Sequence, residues 1–131
     1  MSQQERYGER DLTYSKWHRP PNLPGDISYI DIDCCEYCDR CKEPLALVEL
    51  AQDVGQPFKP TTVTVNLARK ADLPAWLVLY TKSDKGDQIV SMRVKQMCPS
   101  QTTFVRAAPQ QWKNRLIRLH REHKCMDRKT K

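Results

Sequence analysis

Carboxylate side chains occur in two apolar stretches of the chain, where charged groups are unusual. In "ISYIDID", Asp31 and Asp33 alternate with isoleucines, and this period of two predicts a strand with one polar face. Glu49 is the one polar residue in "LALVELA", which predicts a central strand covered on both faces. Because a buried charge needs a partner, these three acids are the first candidates for chemistry.

The loop between the two strands decides whether the acids meet. If the hairpin turns about Arg40, Asp31 lies about 5 Å from Glu49, with Asp33 about 7 Å further along the same face. Two such carboxylates repel by about 4 kcal/mol at an effective dielectric constant of about 20. They must take up protons, separate, or bind a hard cation such as Mg²⁺. In the alternative, both aspartates face solvent and Glu49 pairs with a basic residue, namely Lys59, Arg69 or Lys70.

The same loop carries four cysteines within eight residues. Cys38-x-x-Cys41 has the spacing of a zinc knuckle, and Cys35-x-x-Cys38 has it too. For a structural Zn²⁺ we expect Cys38 and Cys41 first, then Cys35 or Cys34, because adjacent residues of a strand point to opposite faces. A further ligand is sought among His18, Cys98, His123 and Cys125. The alternatives are free thiols at the hairpin tip and a redox-active pair.

The net charge of +6 is concentrated in one part of the chain. Residues 112–131 hold eight basic and two acidic residues, so the remainder is neutral overall. This asymmetry predicts a polyanionic partner, nucleic acid, with DNA favoured over RNA, although a solvated tail is the alternative. The predicted phosphate contacts are Lys113, Arg115, Arg118, Arg121 and Lys124.

The composition argues against a membrane protein. No apolar run approaches the length of a membrane span, and "MSQQERYGERD" lacks the apolar core of a signal peptide. We therefore expect no membrane partner and a cytoplasmic location, where cysteines are reduced or bind metal.

The periodicity predicts a single α/β domain with a mixed sheet, flanking helices and a cysteine-rich hairpin. The expected order is helix, strand, strand, helix, strand, strand, helix. The two central strands are parallel because a helix connects them, and the first two are antiparallel. Residues 1–26 form an arm with a short helix, 27–107 the core, 109–124 a basic helix beginning at Pro109, and 125–131 a flexible tail.

The acidic pattern resembles a known family. Asp33 and Glu49 are separated by fifteen residues, and "VEL" is followed by a predicted helix and a buried strand. This arrangement is similar to the core of the PD-(D/E)XK nucleases, which have the restriction endonuclease-like fold. The resemblance implies that Asp31 or Asp33, together with Glu49, holds a catalytic Mg²⁺. It also implies a helical glutamate, here Glu9 or Glu5.

The chain departs from that family at the lysine that helps to activate water. Two residues after Glu49 stands Ala51. Lys59, Arg69 or Lys70 would have to reach the site instead, as in divergent members, so that Lys59 or Lys70 stabilises the developing charge.

The resulting expectation is a Mg²⁺-dependent nuclease that hydrolyses phosphodiester bonds. The alternative is a non-catalytic zinc-containing module that binds nucleic acid or protein. A third possibility is an inhibitor or adaptor aimed at a host protein. The small size of the chain and its "YSKWHR" segment resemble those of bacteriophage proteins. In that case the location is the host cytoplasm.

Overall fold

The computed structural model describes residues 12–125. These residues form two compact units, which divide between Asp31 and Ile32. In the described part of the first unit, helix α1 (Thr13–Trp17) is held by ring contacts. Tyr29 lies edge-on to Tyr14, with ring centroids 5.3 Å apart, and to His18 at 4.7 Å.

The second unit is a five-stranded mixed sheet with two helices, which confirms the predicted fold class. Its strands lie in chain order across the sheet, and only β2 and β3 are parallel. The elements are β1 (Cys34–Tyr37), β2 (Pro44–Gln52), α2 (Thr62–Ala71), β3 (Ala75–Lys82), β4 (Ile89–Cys98), β5 (Val105–Ala107) and α3 (Pro109–Glu122).

Each face of the sheet has its own hydrophobic core. On one face, Leu77 and Leu79 of β3 pack with Val65 and Ala68 of α2. On the other face, a second cluster includes Trp76 and is contacted by Trp112 and Leu119 of α3. Because successive residues of β3 alternate between two apolar faces, this strand reads as a continuous apolar run. Each large side chain buried in this way contributes about 1.5–3 kcal/mol.

Helix α2 presents a different face from the one that the sequence suggests. Val63, Leu67 and Ala71 recur at helical spacing, yet all three are exposed. The buried residues are Thr64, Val65 and Ala68. The helix is turned by about one residue because Thr64 hydrogen-bonds to Glu49 beneath it.

The C-terminal end of α2 fixes the entry into β3. Asp72 has a left-handed backbone, with φ of 59°, and its N–H donates to carbonyls of the last turn. The N–H of Leu73 donates to the carbonyl of Ala68 at 2.9 Å. This pattern is a Schellman motif with aspartate at the position that usually holds glycine.

Helix α3 begins where the sequence predicts and ends at Glu122, two residues before its predicted end. Pro109 is its first residue, and the side chain of Gln111 accepts a hydrogen bond of 2.7 Å from the N–H of Ala108. The rings of Trp112 and Trp76 meet edge to face, with centroids 5.6 Å apart. The helix is therefore anchored to the sheet near its N-terminal end.

Three sequence predictions are wrong in detail. Residues 27–33 contain no strand, because pairing with β2 begins only at Cys34. The three-residue strand β5 is absent from the predicted order of elements, and it pairs with β4 at the edge of the sheet. The hairpin register is also displaced by two residues from the predicted one, with Cys34 opposite Val48.

Candidate functional site: a cysteine and histidine cluster beside an acidic pair

The turn between β1 and β2 presents two buried thiols. The N–H of Cys38 donates to the carbonyl of Glu43 at 2.9 Å, and the N–H of Lys42 donates to the carbonyl of Cys38 at 2.7 Å. Lys42 has a φ of 66°, and its left-handed backbone tightens the turn. Cys38 and Cys41 are 1% and 0% exposed, so the turn buries both side chains.

Two further donor atoms, from His123 and Cys125 just after α3, lie close to these thiols. The N–H of His123 donates to the carbonyl of Leu119 at 3.2 Å, and the backbone of His123 is extended, with ψ of 154°. The helix therefore ends at Glu122, and the extended backbone leads on to Cys125. Since Leu119 packs on the sheet, the position of this segment is set by the core.

The four donor atoms of this Cys₃His cluster (Cys38, Cys41, His123 and Cys125) lie within 4.8 Å of one another. The sulfur atoms of Cys38 and Cys125 are 3.9 Å apart. The sulfur of Cys41 lies 3.5 Å from Nε2 of His123. Around a tetrahedral Zn²⁺, ordinary metal–ligand bond lengths require separations of about 3.8 Å between sulfurs and about 3.5 Å between sulfur and nitrogen. The cluster could thus hold a metal ion such as zinc.

The histidine is already oriented for coordination. Its Nδ1 atom forms a hydrogen bond with the backbone carbonyl of His120, in which the ring nitrogen must be the donor. A neutral ring with hydrogen on Nδ1 has its lone pair on Nε2, which is the atom that faces Cys41. Such a bond to the remote nitrogen is the usual support of a metal-bound histidine.

Two of the predicted ligands, Cys34 and Cys35, lie on β1 outside this cluster. The sulfur of Cys34 is 3.6 Å from a carboxylate oxygen of Glu36. Burial, followed by the negative charge of Glu36, raises the pKa of Cys34 to about 11, so this thiol stays protonated at neutral pH. Of the other candidates, Cys98 is buried at the end of β4 and His18 belongs to the first unit.

The acidic prediction leads to a second cluster, which consists of Asp33, Glu49, Lys59 and Thr64. The Nζ atom of Lys59 lies 2.5 Å from Oδ2 of Asp33 and 3.3 Å from Oε1 of Glu49. It also donates to the carbonyl of Leu50 at 3.0 Å. The hydroxyl of Thr64 donates to Oε2 of Glu49, which is 4% exposed. The buried glutamate therefore has a partner at each oxygen.

The charges in this cluster stabilise one another. Burial alone raises the pKa of Asp33, but the hydrogen bonds from Lys59 and from the N–H of Leu50 lower the pKa below its usual value. For Lys59, burial lowers the pKa, whereas the bonds to Asp33 and Glu49 raise it. The lysine thus stays charged between the acids and supplies the counter-charge itself.

The hairpin register explains which aspartate takes part. With Cys34 opposite Val48, Asp33 rather than Asp31 comes next to Glu49. A shift of two residues keeps the same face of the chain towards Glu49, so Asp33 takes the position that was predicted for Asp31. Asp31 is exposed and belongs to the first unit.

The remaining residues assigned to catalysis are not in this cluster. Lys70 is exposed near the end of α2, and Arg69 hydrogen-bonds to Asn66 at 3.2 Å. Glu5 and Glu9 lie outside the described residues. Thr64 was not predicted from the sequence, since no local pattern marks it as a partner of Glu49.

The basic side chains predicted for nucleic acid lie on or just after α3. Lys113, Arg115, Arg118, Arg121 and Lys124 are all exposed. The guanidinium of Arg115 lies 5.5 Å from the ring centroid of Trp76, which places it beside a cavity.

Within residues 12–125, no helix is long and apolar enough to cross a membrane. Comparison of the chain with protein-family models, with curated proteins and with solved structures finds no match.

Proposed function

We propose that this protein is a zinc-stabilised nucleic-acid-binding module, in which the Cys₃His cluster fixes a basic helix to the sheet. The observation that carries the proposal is the spacing of the donor atoms, 3.9 Å between two sulfurs and 3.5 Å between sulfur and nitrogen. These separations are those of the edges of a zinc tetrahedron.

The chemistry of the donors favours zinc in a structural role. Thiolates with one imidazole select soft or borderline metals, and a tetrahedral site is typical of Zn²⁺. Four protein ligands leave no open position for water, in contrast to catalytic zinc sites. The ion would therefore stabilise the fold and would not carry out a reaction.

The position of the cluster links the metal to binding. Cys38 and Cys41 belong to the hairpin, whereas His123 and Cys125 follow α3 directly. A metal at this point holds the C-terminal end of α3, whose exposed side is basic. Because residues 109–125 carry five basic side chains against a single acidic one, phosphate groups are the ligands that this surface suits best.

Metal analysis and a salt titration test the proposal together. Purified protein should contain about one zinc per chain. The affinity for a short DNA should fall steeply with salt, and the double variant Arg118→Gln, Arg121→Gln should reduce the slope of log K against log salt by about two. Metal-free protein of full stability, or binding that does not respond to salt, would contradict the proposal.

A second candidate is the metal-dependent nuclease, which the acidic cluster favours. Asp33 and Glu49 come from neighbouring segments, and Lys59 provides the amine that Ala51 cannot. Mg²⁺ would have to compete with the Lys59 ammonium for the same carboxylate oxygens, so this candidate stands behind the first.

Cleavage assays separate the two candidates. Plasmid and single-stranded substrates are incubated with Mg²⁺ or Mn²⁺ and with wild type, Glu49→Gln or the control Glu43→Gln, whose residue lies exposed before β2. Cleavage that is lost only in Glu49→Gln supports the nuclease. Salt-dependent binding without cleavage supports the zinc-stabilised binding module.

A further inference from the structure

A cavity of about 300 Å³ lies beside α3, on the face of the sheet opposite α2. Its volume is at the small end of the range for ligand pockets, about 300–1,000 Å³. We call it the tryptophan cavity, because Trp76 and Trp112 both line it. It is separate from the Cys₃His cluster and from the acidic cluster, none of whose residues line it.

The half-buried indole ring of Trp112 gives the cavity an aromatic wall. It meets the ring of Trp76 edge to face, with centroids 5.6 Å apart, and because Trp76 is 4% exposed, the core supports this wall from behind. Gln96 and Thr102 line the same cavity with amide and hydroxyl groups. A rigid aromatic wall with a few polar groups is suited to a flat heteroaromatic ring.

The charge of the cavity indicates what accompanies that ring. Arg106 and Arg115 line it, and its lining contains no acidic residue among the part of the chain that the structure describes. Arg115 lies 5.5 Å from the ring centroid of Trp76, a cation–π contact that holds its guanidinium at the aromatic wall. Guanidinium groups bind phosphate through paired hydrogen bonds.

We propose that the tryptophan cavity binds one unstacked base of single-stranded nucleic acid, with Arg106 and Arg115 on the flanking phosphates. The inference rests on the proposed nucleic-acid binding and adds the strandedness of the ligand. In a duplex both faces of a base are covered by its neighbours, and only its edge is accessible in a groove. An unpaired base offers a free face, and recognition of single strands depends on such stacking.

The ligand side of the test uses three oligonucleotides of equal length at one salt concentration: a single strand, its duplex, and a strand with abasic sites. The single strand should bind best and should quench the tryptophan fluorescence. The abasic strand keeps the phosphates and loses the bases, so its affinity should be about tenfold lower. Equal affinity for the abasic strand, or a preference for duplex, overturns the inference.

The protein side compares Arg115→Gln with Arg118→Gln. Both changes remove one charge from the same helix, but only Arg115 lines the cavity. Arg115→Gln should reduce binding of the single strand about fivefold more than Arg118→Gln, and should reduce the discrimination against the abasic strand. Circular dichroism checks that both variants remain folded.

The outcomes distinguish this inference from the proposed function. If both variants weaken binding equally and the abasic strand binds as well as the intact one, the cavity proposal fails while electrostatic binding stands. If wild type binds none of the oligonucleotides, both proposals fail.

Discussion

The two polar clusters of the second unit differ in the chemistry of their donor atoms. The Cys₃His cluster brings together three sulfurs and an imidazole nitrogen, which could hold a metal ion. The acidic cluster also brings electron-rich atoms together, but Lys59 lies between its carboxylates at 2.5 and 3.3 Å. The first arrangement could hold a metal ion, whereas the second already contains its own counter-charge.

This difference shows why clustered acids are a weaker indication of a metal site than clustered thiols. A carboxylate can be neutralised by a lysine from a nearby loop, as Lys59 does for Asp33 and Glu49. Sulfur and imidazole donors at tetrahedral spacing match the coordination that zinc prefers in structural sites.

The largest expected effect comes from removing a metal ligand. Cys41→Ser should lose the bound zinc. The free energy of unfolding should fall by more than about 4 kcal/mol, because loss of a structural metal is among the most destabilising changes. Metal analysis and thermal unfolding measure both quantities. Cys35→Ser is the matched control, since that exposed thiol lies outside the cluster and its loss should leave the zinc in place. Zinc retained in Cys41→Ser would contradict the ligand assignment.

The next effect comes from removing the internal cation of the acidic cluster. Lys59→Met leaves the buried Glu49 without its charged partner, and the stability should fall by about 2–4 kcal/mol, moderated because Lys59 is 30% exposed. Lys70→Met, at an exposed position, should change stability by less than about 0.5 kcal/mol. Chemical denaturation measures both.

Adding Mg²⁺ to these proteins tests the comparison directly. If Lys59 balances the charge of Asp33 and Glu49 in the wild type, Mg²⁺ should raise the melting temperature of Lys59→Met and leave that of the wild type unchanged. A clear increase in wild type would show that the acidic cluster takes up a cation despite its lysine, which would strengthen the nuclease candidate.

A smaller effect is expected from acid titration of the acidic cluster. Burial works against ionisation of Asp33, but Lys59 and Leu50 bring its pKa below the usual 3.8. The stabilisation is therefore complete above pH 3.8 and is lost as the pH falls through the lower, folded pKa. In that pH window, Asp33→Asn should reduce the slope of the unfolding free energy against pH, by at most the slope that corresponds to uptake of about one proton.

Asp53→Asn provides the comparison for that titration. Paired hydrogen bonds from Arg93, both 2.9 Å long, lower the pKa of Asp53 to about 2. The contribution of Asp53 should therefore persist until the pH falls to about 2. An unchanged acid response of Asp33→Asn would mean that this aspartate adds nothing to the cluster.

The smallest expected change in stability comes from a residue outside both clusters, which serves as a control for the other variants. Asp72 has a φ of 59° at the end of α2. Asp72→Gly should raise stability by a few tenths to about 1 kcal/mol, because glycine adopts this conformation without steric cost. The zinc content and the acid response should not change. A loss of stability would show that the aspartate side chain makes a contribution of its own.

The sequence predicted the elements better than it predicted the contacts between them. The central strands and α3 were clear because long apolar runs and Pro109 leave few alternatives. The register was displaced because the cysteine loop is not a symmetric turn about Arg40. The buried face of α2 does not follow the spacing of its apolar residues, because a polar residue, Thr64, is buried against Glu49.

The members of the Cys₃His cluster could be predicted only in part, because two of them come from a distant part of the sequence. Cys38 and Cys41 are neighbours in sequence, and their spacing identifies them. Their partners, His123 and Cys125, are brought near by the packing of α3, which no local pattern encodes. The sequence could therefore offer these two only as candidates among four.

The separation of the ligands along the chain has a consequence for biosynthesis. Cys38 and Cys125 are 87 positions apart, and Cys41 and His123 are 82 apart. All five strands have left the ribosome before the second pair of donors emerges. A nascent or prematurely terminated chain that lacks residue 123 could offer only half of the coordination sphere, so metal uptake would distinguish a finished sheet-and-helix unit from its fragments.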